Sequence, residues 1–270
     1  MERPAWAPRS IDITVPSVSR MYDYYLGGSH NFEVDREAAR RAMEFMPGLP
    51  KIMQANRAFL HRAVRFAVDR GITRFLDIGS GIPTFGNVHE VAQAADPAAR
   101  VVYVDHDPVA VAHSQAVLEG NDQADIVAAD LRKPQEILNS HEVRRLIEPN
   151  RPVALLLVAI LHFVEDADDP YTAVAELREA LPPGSMLVLT HASYEGIPLP
   201  PERAGGAVDV YKDIRNPLIM RSREEIARFF EGYDMVEPGL VPMPRWRPDT
   251  APEDEDPYAF SGFAGVGHKA

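Results

Sequence analysis

The chain of 270 residues carries 28 Lys and Arg against 40 Asp and Glu, a net charge of −12, with 46% hydrophobic residues and no cysteine. That composition is globular and excludes collagen, coiled coil and wholesale disorder, while an acidic chain repels phosphate backbones and anionic lipid. The missing thiols exclude disulfide scaffolds, cysteine nucleophiles, iron–sulfur clusters and thiolate zinc sites.

The start, MERPAWAPRSIDITVPSVSR, lacks the apolar core of a signal peptide. The longest apolar stretch, Val153 to Leu161, has nine residues, too few to cross a bilayer. The expectation is a cytoplasmic protein whose partners are neither nucleic acid nor membrane. Nothing in the pattern specifies an oligomeric state.

Residues 1–16, with Pro4, Pro8 and Pro16, read as an extended arm. Ser17 to Leu26 predicts a short helix stopped by Gly27 and Gly28. Asp35 is expected to cap a helix running to about Met46. From Lys51 to Arg70 the apolar set Ile52, Ala55, Phe59, Ala63 and Phe66 recurs at helical spacing, and Gly71 ends it. Residues 1–70 are therefore expected to form an amino-terminal arm and helical cap.

From residue 72 apolar runs alternate with helical stretches. Strands are predicted at 72–78, 101–105, 125–129, 153–160 and 186–190. Helices are predicted at 86–95, 108–119, 134–147 and 170–181. The continuous run VALLLVAI is what a parallel strand covered on both faces requires. This rhythm predicts a doubly wound, mostly parallel α/β sheet over 71–270. Residues 193–221, rich in Pro and Gly, break it and read as an insertion or lid. Ser222 can cap a helix at 223–230, with Glu225 in the capping-box position. Tyr258–Val266 can add a last, antiparallel strand, while the acids Asp249 and Glu253–Asp256 read as a solvated loop.

Open parallel sheets bind ligands beyond the carboxyl ends of their strands. There the sequence places Asp77-Ile-Gly-Ser-Gly, Asp105-His-Asp, Asp130-Leu and the stretch Ala159 to Phe163. Gly79 and Gly81 allow close approach of a ligand to the backbone. A dinucleotide loop wants a third glycine, where this chain has Thr84, and a cation for the diphosphate. No Lys or Arg occurs between Phe75 and Arg100, and Asp77 stands directly before the turn. A ligand with an ammonium group and no phosphate fits better, as in S-adenosylmethionine. Asp105 can then accept the ribose hydroxyls and Asp130 the adenine amino group, with His106 and Leu131 flanking the base. Each feature has a plainer reading: a GxG pair is common in turns, and Asp105 and Asp107 could only cap the helix at Pro108.

Those segments resemble class I methyltransferases that use S-adenosylmethionine. More closely, the chain from about residue 16 to 268 resembles a bacterial family of such enzymes whose substrate is uncharacterised. The resemblance is carried by RMYDYYLGGSHNFEVDR (20–36), RFLDIGSGIPTFGNVHEVAQ (74–93), ARVVYVDHDPVAVAH (99–113) and ILHFVED (160–166). It implies a Rossmann-like fold with an antiparallel last strand, and S-adenosylmethionine as cofactor. Asp77, Gly79, Ser80 and Gly81 would hold the methionine end, and Asp105 the ribose. His106, Asp130 and Leu131 would surround adenine, with Ala159 and His162 beside the sulfonium. The acceptor is expected to be a small molecule.

The cluster Tyr22, Tyr24, Tyr25, Gly27, Gly28 and Asn31 is either helix packing with a glycine stop or a lid over the cofactor, aromatic faces suiting a sulfonium. The lid reading assigns Tyr22, Tyr25 and Gly28 to the cofactor, and Arg57 or Arg20 to its carboxylate. If the acceptor must lose a proton, His162 is the first candidate for general base and His191 the second. No metal is expected, since the loop acids Glu165, Asp166, Asp168 and Asp169 are placed to cap a helix rather than converge. Two other classes stay open: a regulatory protein that binds S-adenosylmethionine without turnover, and a nicotinamide-dependent oxidoreductase.

Overall fold

The computed structural model describes residues 11–84, 86–195, 197, 201–212, 214, 217–250 and 256–270. The first ten residues of the expected arm and residues 251–255, which hold most of the acidic stretch Glu253–Asp256, lie outside them.

Three helices come first: α1 (Val18–Tyr25), α2 (Glu33–Phe45) and α3 (Leu49–Asp69). Asp35 is not the cap of α2 but its third residue, where it accepts the Phe32 N–H at 2.7 Å. It is completely buried and also receives the Ser17 N–H and both contacts of the Arg20 Nε, each at 3.0 Å. Arg20 gives its remaining reach to the Val15 carbonyl and lies over the Phe32 ring. Arg20 is thus a clamp between α1 and α2, paired with Asp35 and not among the residues that line the cavity described below. Arg20→Ala leaves the Asp35 carboxylate buried without its cation and is expected to cost about 3–5 kcal/mol of stability. Urea unfolding checks this, and a loss below about 1 kcal/mol would mean the pair does not hold the cap together.

Pro50 does not break α3 but stands in its first turn, where its missing N–H costs nothing. The face of α3 that is buried is Ile52, Asn56, Phe59, Leu60, Ala63, Val64 and Ala67. Ala55 and Phe66 are only partly covered. The exception to an apolar stripe, Asn56, turns out to belong to the site.

The sheet then alternates with helices: β1 (Arg74–Ile78), α4 (Val88–Ala95), β2 (Arg100–Asp105), α5 (Pro108–Val117), β3 (Ala124–Ala128), α6 (Pro134–Leu138), α7 (His141–Leu146), β4 (Ala154–Val158), α8 (Pro170–Ala180) and β5 (Met186–Ala192). The helix expected over 134–147 is two, because Ser140 starts a second one by accepting the Val143 N–H. Within 193–221 lies a helix, α9 (Pro201–Lys212); α10 (Arg223–Ala227) follows, capped by Ser222 and Glu225 as expected. The two-residue strands β6 (Asp234–Met235) and β7 (Val241–Pro242) and the longer β8 (Gly262–His268) complete the chain.

The strand order is β3-β2-β1-β4-β5-β8-β6, parallel through β5 and antiparallel from β8 onward, with β7 also on β8. This is the doubly wound sheet with an antiparallel last strand that the sequence predicts. Along β4, Ala154, Leu156 and Val158 join the core on one face, while Leu155 and Leu157 join the core on the other. Both faces are covered, so the strand needs no polar alternation. The order reverses between β1 and β4, and such a reversal opens a crevice beyond the strand ends.

Candidate functional site

A cavity of about 150 Å³ lies over that crevice. Its floor is the turn after β1 and the ends of β2, β4 and β5. Its roof is α1, α3 and the segment carrying Tyr211 and Met220. Of the residues singled out in the sequence, Tyr22, Tyr25, Arg57, Asp77, Gly79, Ser80, Gly81, Asp105, His106, Ala159 and His162 all line it. Asp130 and Leu131 line a small side pocket that shares Gly79, Asp105 and His106 with the main cavity.

Gly28 is not among them. It borders a separate, more open cleft of about 580 Å³ beyond Arg57. A Cβ on Gly28 would fall 2.0 Å from the Asp23 carboxylate. That carboxylate closes the turn by accepting from the His30 N–H and the Asn31 amide at 2.9 and 2.7 Å. The amino-terminal signature therefore divides by helical phase. Val18, Tyr22 and Tyr25 face the cavity, while Asp23, Gly28 and Asn31 build the turn that ends α1.

The glycine turn is tied to β2. Asp105 accepts the Gly81 N–H at 2.7 Å through one oxygen and the Asp107 N–H at 2.8 Å through the other. Asp107 caps α5 by accepting the Val109 N–H, and its second oxygen receives the Ser17 hydroxyl, which links the cap to this turn. Burial pushes the Asp105 carboxyl upward, against the pull of the Asp107 N–H, His106 and the Gly81 N–H. Asp130 feels opposite effects: burial raises it, but the Arg132 guanidinium, bidentate on its carboxylate, leaves it lowered overall.

Asp77 is buried at the turn, and its pKa is pushed up to about 7 by burial, with Arg57 opposing and Asp105 adding to the rise. The stretch from Phe75 to Arg100 has no cation of its own, but the fold brings Arg57 to it from α3. Arg57 donates to Thr84 at 3.2 Å, while its Nε, like the Ser80 hydroxyl, is buried with no partner among the described residues.

A relay that sequence reasoning missed fixes the end of β4. Ala159, in the left-handed region at φ 58, donates its N–H to Thr190 at 2.8 Å. Thr190 donates to the Asn56 side-chain Oδ1 at 2.7 Å, the Asn56 Nδ2 donates to the Tyr22 hydroxyl at 2.9 Å, and Tyr22 donates to the Met53 backbone carbonyl. The one legible signal was a polar residue, Asn56, set four positions after Ile52 on a buried helix face. Tyr211, whose hydroxyl meets that of Tyr25 at 3.0 Å, was hidden in the segment read only as a lid.

The two histidines divide as well. The Ala192 N–H donates to His162 Nδ1 at 3.2 Å, so the proton of the neutral ring stands on Nε2. Burial, with His191 and Arg221 adding to it, holds the His162 pKa well below the usual range. His191 donates through Nδ1 to the Ala192 carbonyl and accepts through Nε2 from Arg221 at 2.8 Å. Both its nitrogens are occupied, and its pKa falls to about 3, mainly through burial. The fully buried Arg221 also grips the Leu161 and Val164 carbonyls and Asp166. His191 is therefore a strut and not a base, and His162 presents a donor where a lone pair was expected.

The loop acids are likewise engaged: Asp166 by Arg221, Asp168 by Arg132, and Asp169 as the cap of α8. Among the described residues no helix is long and apolar enough to cross a membrane.

The comparisons agree with this geometry. A search of curated proteins returns no match. A protein from Thermobifida fusca YX, described as a candidate methyltransferase, is 40% identical over 98% of this chain and 99% of its own, with a TM-score of 0.90. A DUF574 family protein from Streptomyces avermitilis is 38% identical over 96% and 99%, with a TM-score of 0.91. At 14% identity, over 87% of this chain and 97% of its own, the N-methyltransferase NodS from Bradyrhizobium japonicum, solved with S-adenosyl-L-homocysteine, shares the fold at a TM-score of 0.50. Residues 4–270 match the profile of the S-adenosyl methyltransferase family, and the chain belongs to that family.

Proposed function

We propose that the protein transfers a methyl group from S-adenosylmethionine to a small-molecule acceptor held under α1 and α9. The observation that carries this reading is one cavity lined both by the glycine turn with its acids and by apolar side chains of α1, α3 and residues 218–220.

The residues present fit the cofactor. Arg57 Nε and Ser80 Oγ are orphaned donors at the glycine turn, and a ligand carboxylate would satisfy them. A Cβ on Gly81 would meet nothing within 4 Å, so the turn is open on that side. Asp77 would face the ammonium group, Asp105 the ribose, and His106, Asp130 and Leu131 the adenine. Tyr22, Tyr25 and Ala159 would border the sulfonium. Bound there, S-adenosylmethionine supplies an electrophilic methyl group. The chain holds the reactants in line and excludes water. Residues 1–70 act as the cap and 193–221 as the lid in this reading.

Because Asp77 titrates near 7 in the free protein, the ammonium group meets a full negative charge only above that pH. Affinity for S-adenosylhomocysteine is expected to rise as pH climbs from 5.5 to 7 and then level off. Below 7 it should drop by up to about tenfold per pH unit. Calorimetry across pH 5.5–8.5 checks this, and Asp77→Asn should flatten the profile.

The test of turnover is incubation with methyl-labelled S-adenosylmethionine and a fractionated metabolite extract. Label is expected in a low-mass product. Tight cofactor binding with no label transferred would favour the regulatory reading instead.

A further inference from the structure

The recess beyond Ala159 has a chemistry of its own, and the inference drawn from it rests on the methyl-transfer reading above. Its walls include Leu49, Met53, Phe163, Leu218 and Met220. The charged side chains that line the cavity among the described residues, Asp77, Asp105 and Arg57, all belong to the glycine-turn end. An ion placed in the recess would lose its hydration, and among the described residues the buried cation that acts on His162, Arg221, is already paired with Asp166. Phe163 packs against His162 and Tyr211, with ring centroids 4.5 and 6.1 Å apart, so flat aromatic surfaces gather here.

The polar groups of the recess are neutral and already committed. The Tyr25 and Tyr211 hydroxyls pair with each other at 3.0 Å, and burial pushes both phenols up, Tyr211 to about 12. His162 Nδ1 is filled by the Ala192 N–H, which leaves Nε2–H as a donor. Both nitrogens of His191 are occupied. Tyr22 ends its relay on the Met53 carbonyl. An alcohol or phenol that must lose its proton before attack finds no group to take it among the described residues of the recess.

We propose that the acceptor is an uncharged, apolar molecule that presents a neutral nitrogen on an aromatic ring, an aryl amine or a heteroaromatic nitrogen. Such a nitrogen attacks with its own lone pair. The N–C bond forms as the C–S bond breaks, the positive charge passes to nitrogen, and any proton there leaves afterwards to water. Phe163 and the tyrosine rings supply the flat walls, and His162 Nε2–H can hold a second heteroatom of the acceptor.

The test uses the full chain saturated with S-adenosylhomocysteine at pH 7.5. Aniline, benzoate and phenyltrimethylammonium, one ring bearing a neutral, an anionic or a cationic group, are titrated by calorimetry. Aniline is expected to bind at least tenfold more tightly than either ion. An ion that binds as tightly as aniline, or no binding of aniline, overturns the proposal. Label transfer from S-adenosylmethionine is then compared for aniline and phenol, with at least a tenfold preference for aniline expected. Equal or faster transfer to phenol, or transfer to neither, removes the assignment to nitrogen. If S-adenosylhomocysteine itself does not bind, the methyl-transfer reading fails first, and the two failures are told apart.

Discussion

Gly79→Val is expected to abolish binding of S-adenosylhomocysteine. Gly79 sits at φ +75, a backbone region that a β-branched residue occupies only under strain. A Cβ there would lie 2.6, 2.7 and 2.8 Å from three atoms of the Ile160 side chain. The last of these is the Ile160 Cβ, which cannot move away without its backbone. Either the turn after β1 or the loop after β4 has to shift, and those two neighbouring segments both line the cavity. Gly81 separates backbone strain from this clash. It has φ +68, but its Cβ position is free of neighbours, so Gly81→Ala should lose less stability. Calorimetry with a thermal melt of each variant distinguishes lost binding from lost fold. Unchanged affinity in Gly79→Val would place the ligand elsewhere.

Asp105→Ala is expected to weaken the same binding by about 1–3 kcal/mol, the scale of a lost hydrogen bond to a charged group, or roughly five- to 150-fold. A carboxylate offers about four acceptor sites. Gly81 and Asp107 take one on each oxygen, which leaves two for a pair of ribose hydroxyls. Alanine removes both roles, since it also releases the Gly81 N–H and loosens the turn. Asp105→Asn keeps one acceptor oxygen for the turn and should fall between alanine and the unchanged protein. An alanine variant with undiminished affinity would take Asp105 out of the ribose role.

The histidines show why a residue type at a strand end does not define its chemistry. His162 and His191 look alike in sequence, each following an apolar strand. Burial keeps both rings neutral, and which nitrogen carries the proton is decided by partners from elsewhere: a backbone N–H at Ala192, and a guanidinium delivered by Arg221 at the far end of the 193–221 segment. That segment therefore shapes the floor of the site as well as adding Tyr211, Leu218 and Met220 to its lining. Arg57 makes the same point for charge. The glycine turn is free of cations along the chain, yet an arginine from α3 stands beside Asp77 in space.

Periodicity and punctuation are local properties, and they were readable without coordinates. The apolar run of β4, the Asp107–Pro108 start of α5, the Ser222–Glu225 box of α10 and the order of acids after β1, β2 and β3 each arise from neighbours within a few residues. So the sheet, its antiparallel last strand and the glycine turn after β1 were legible. Local rules already failed where two signals compete, as at Asp35, where an acid at the third position of a helix mimics a cap, and at Ser140, which divides one expected helix into two. Packing alone decided that Tyr22 and Tyr25 reach the cavity while Gly28 closes a turn against Asp23, that Asn56 joins Thr190 across 134 residues, and that Arg20 serves Asp35. These are meetings between distant segments, whose free energies depend on burial and on who the partner is, and no short window of sequence contains both partners.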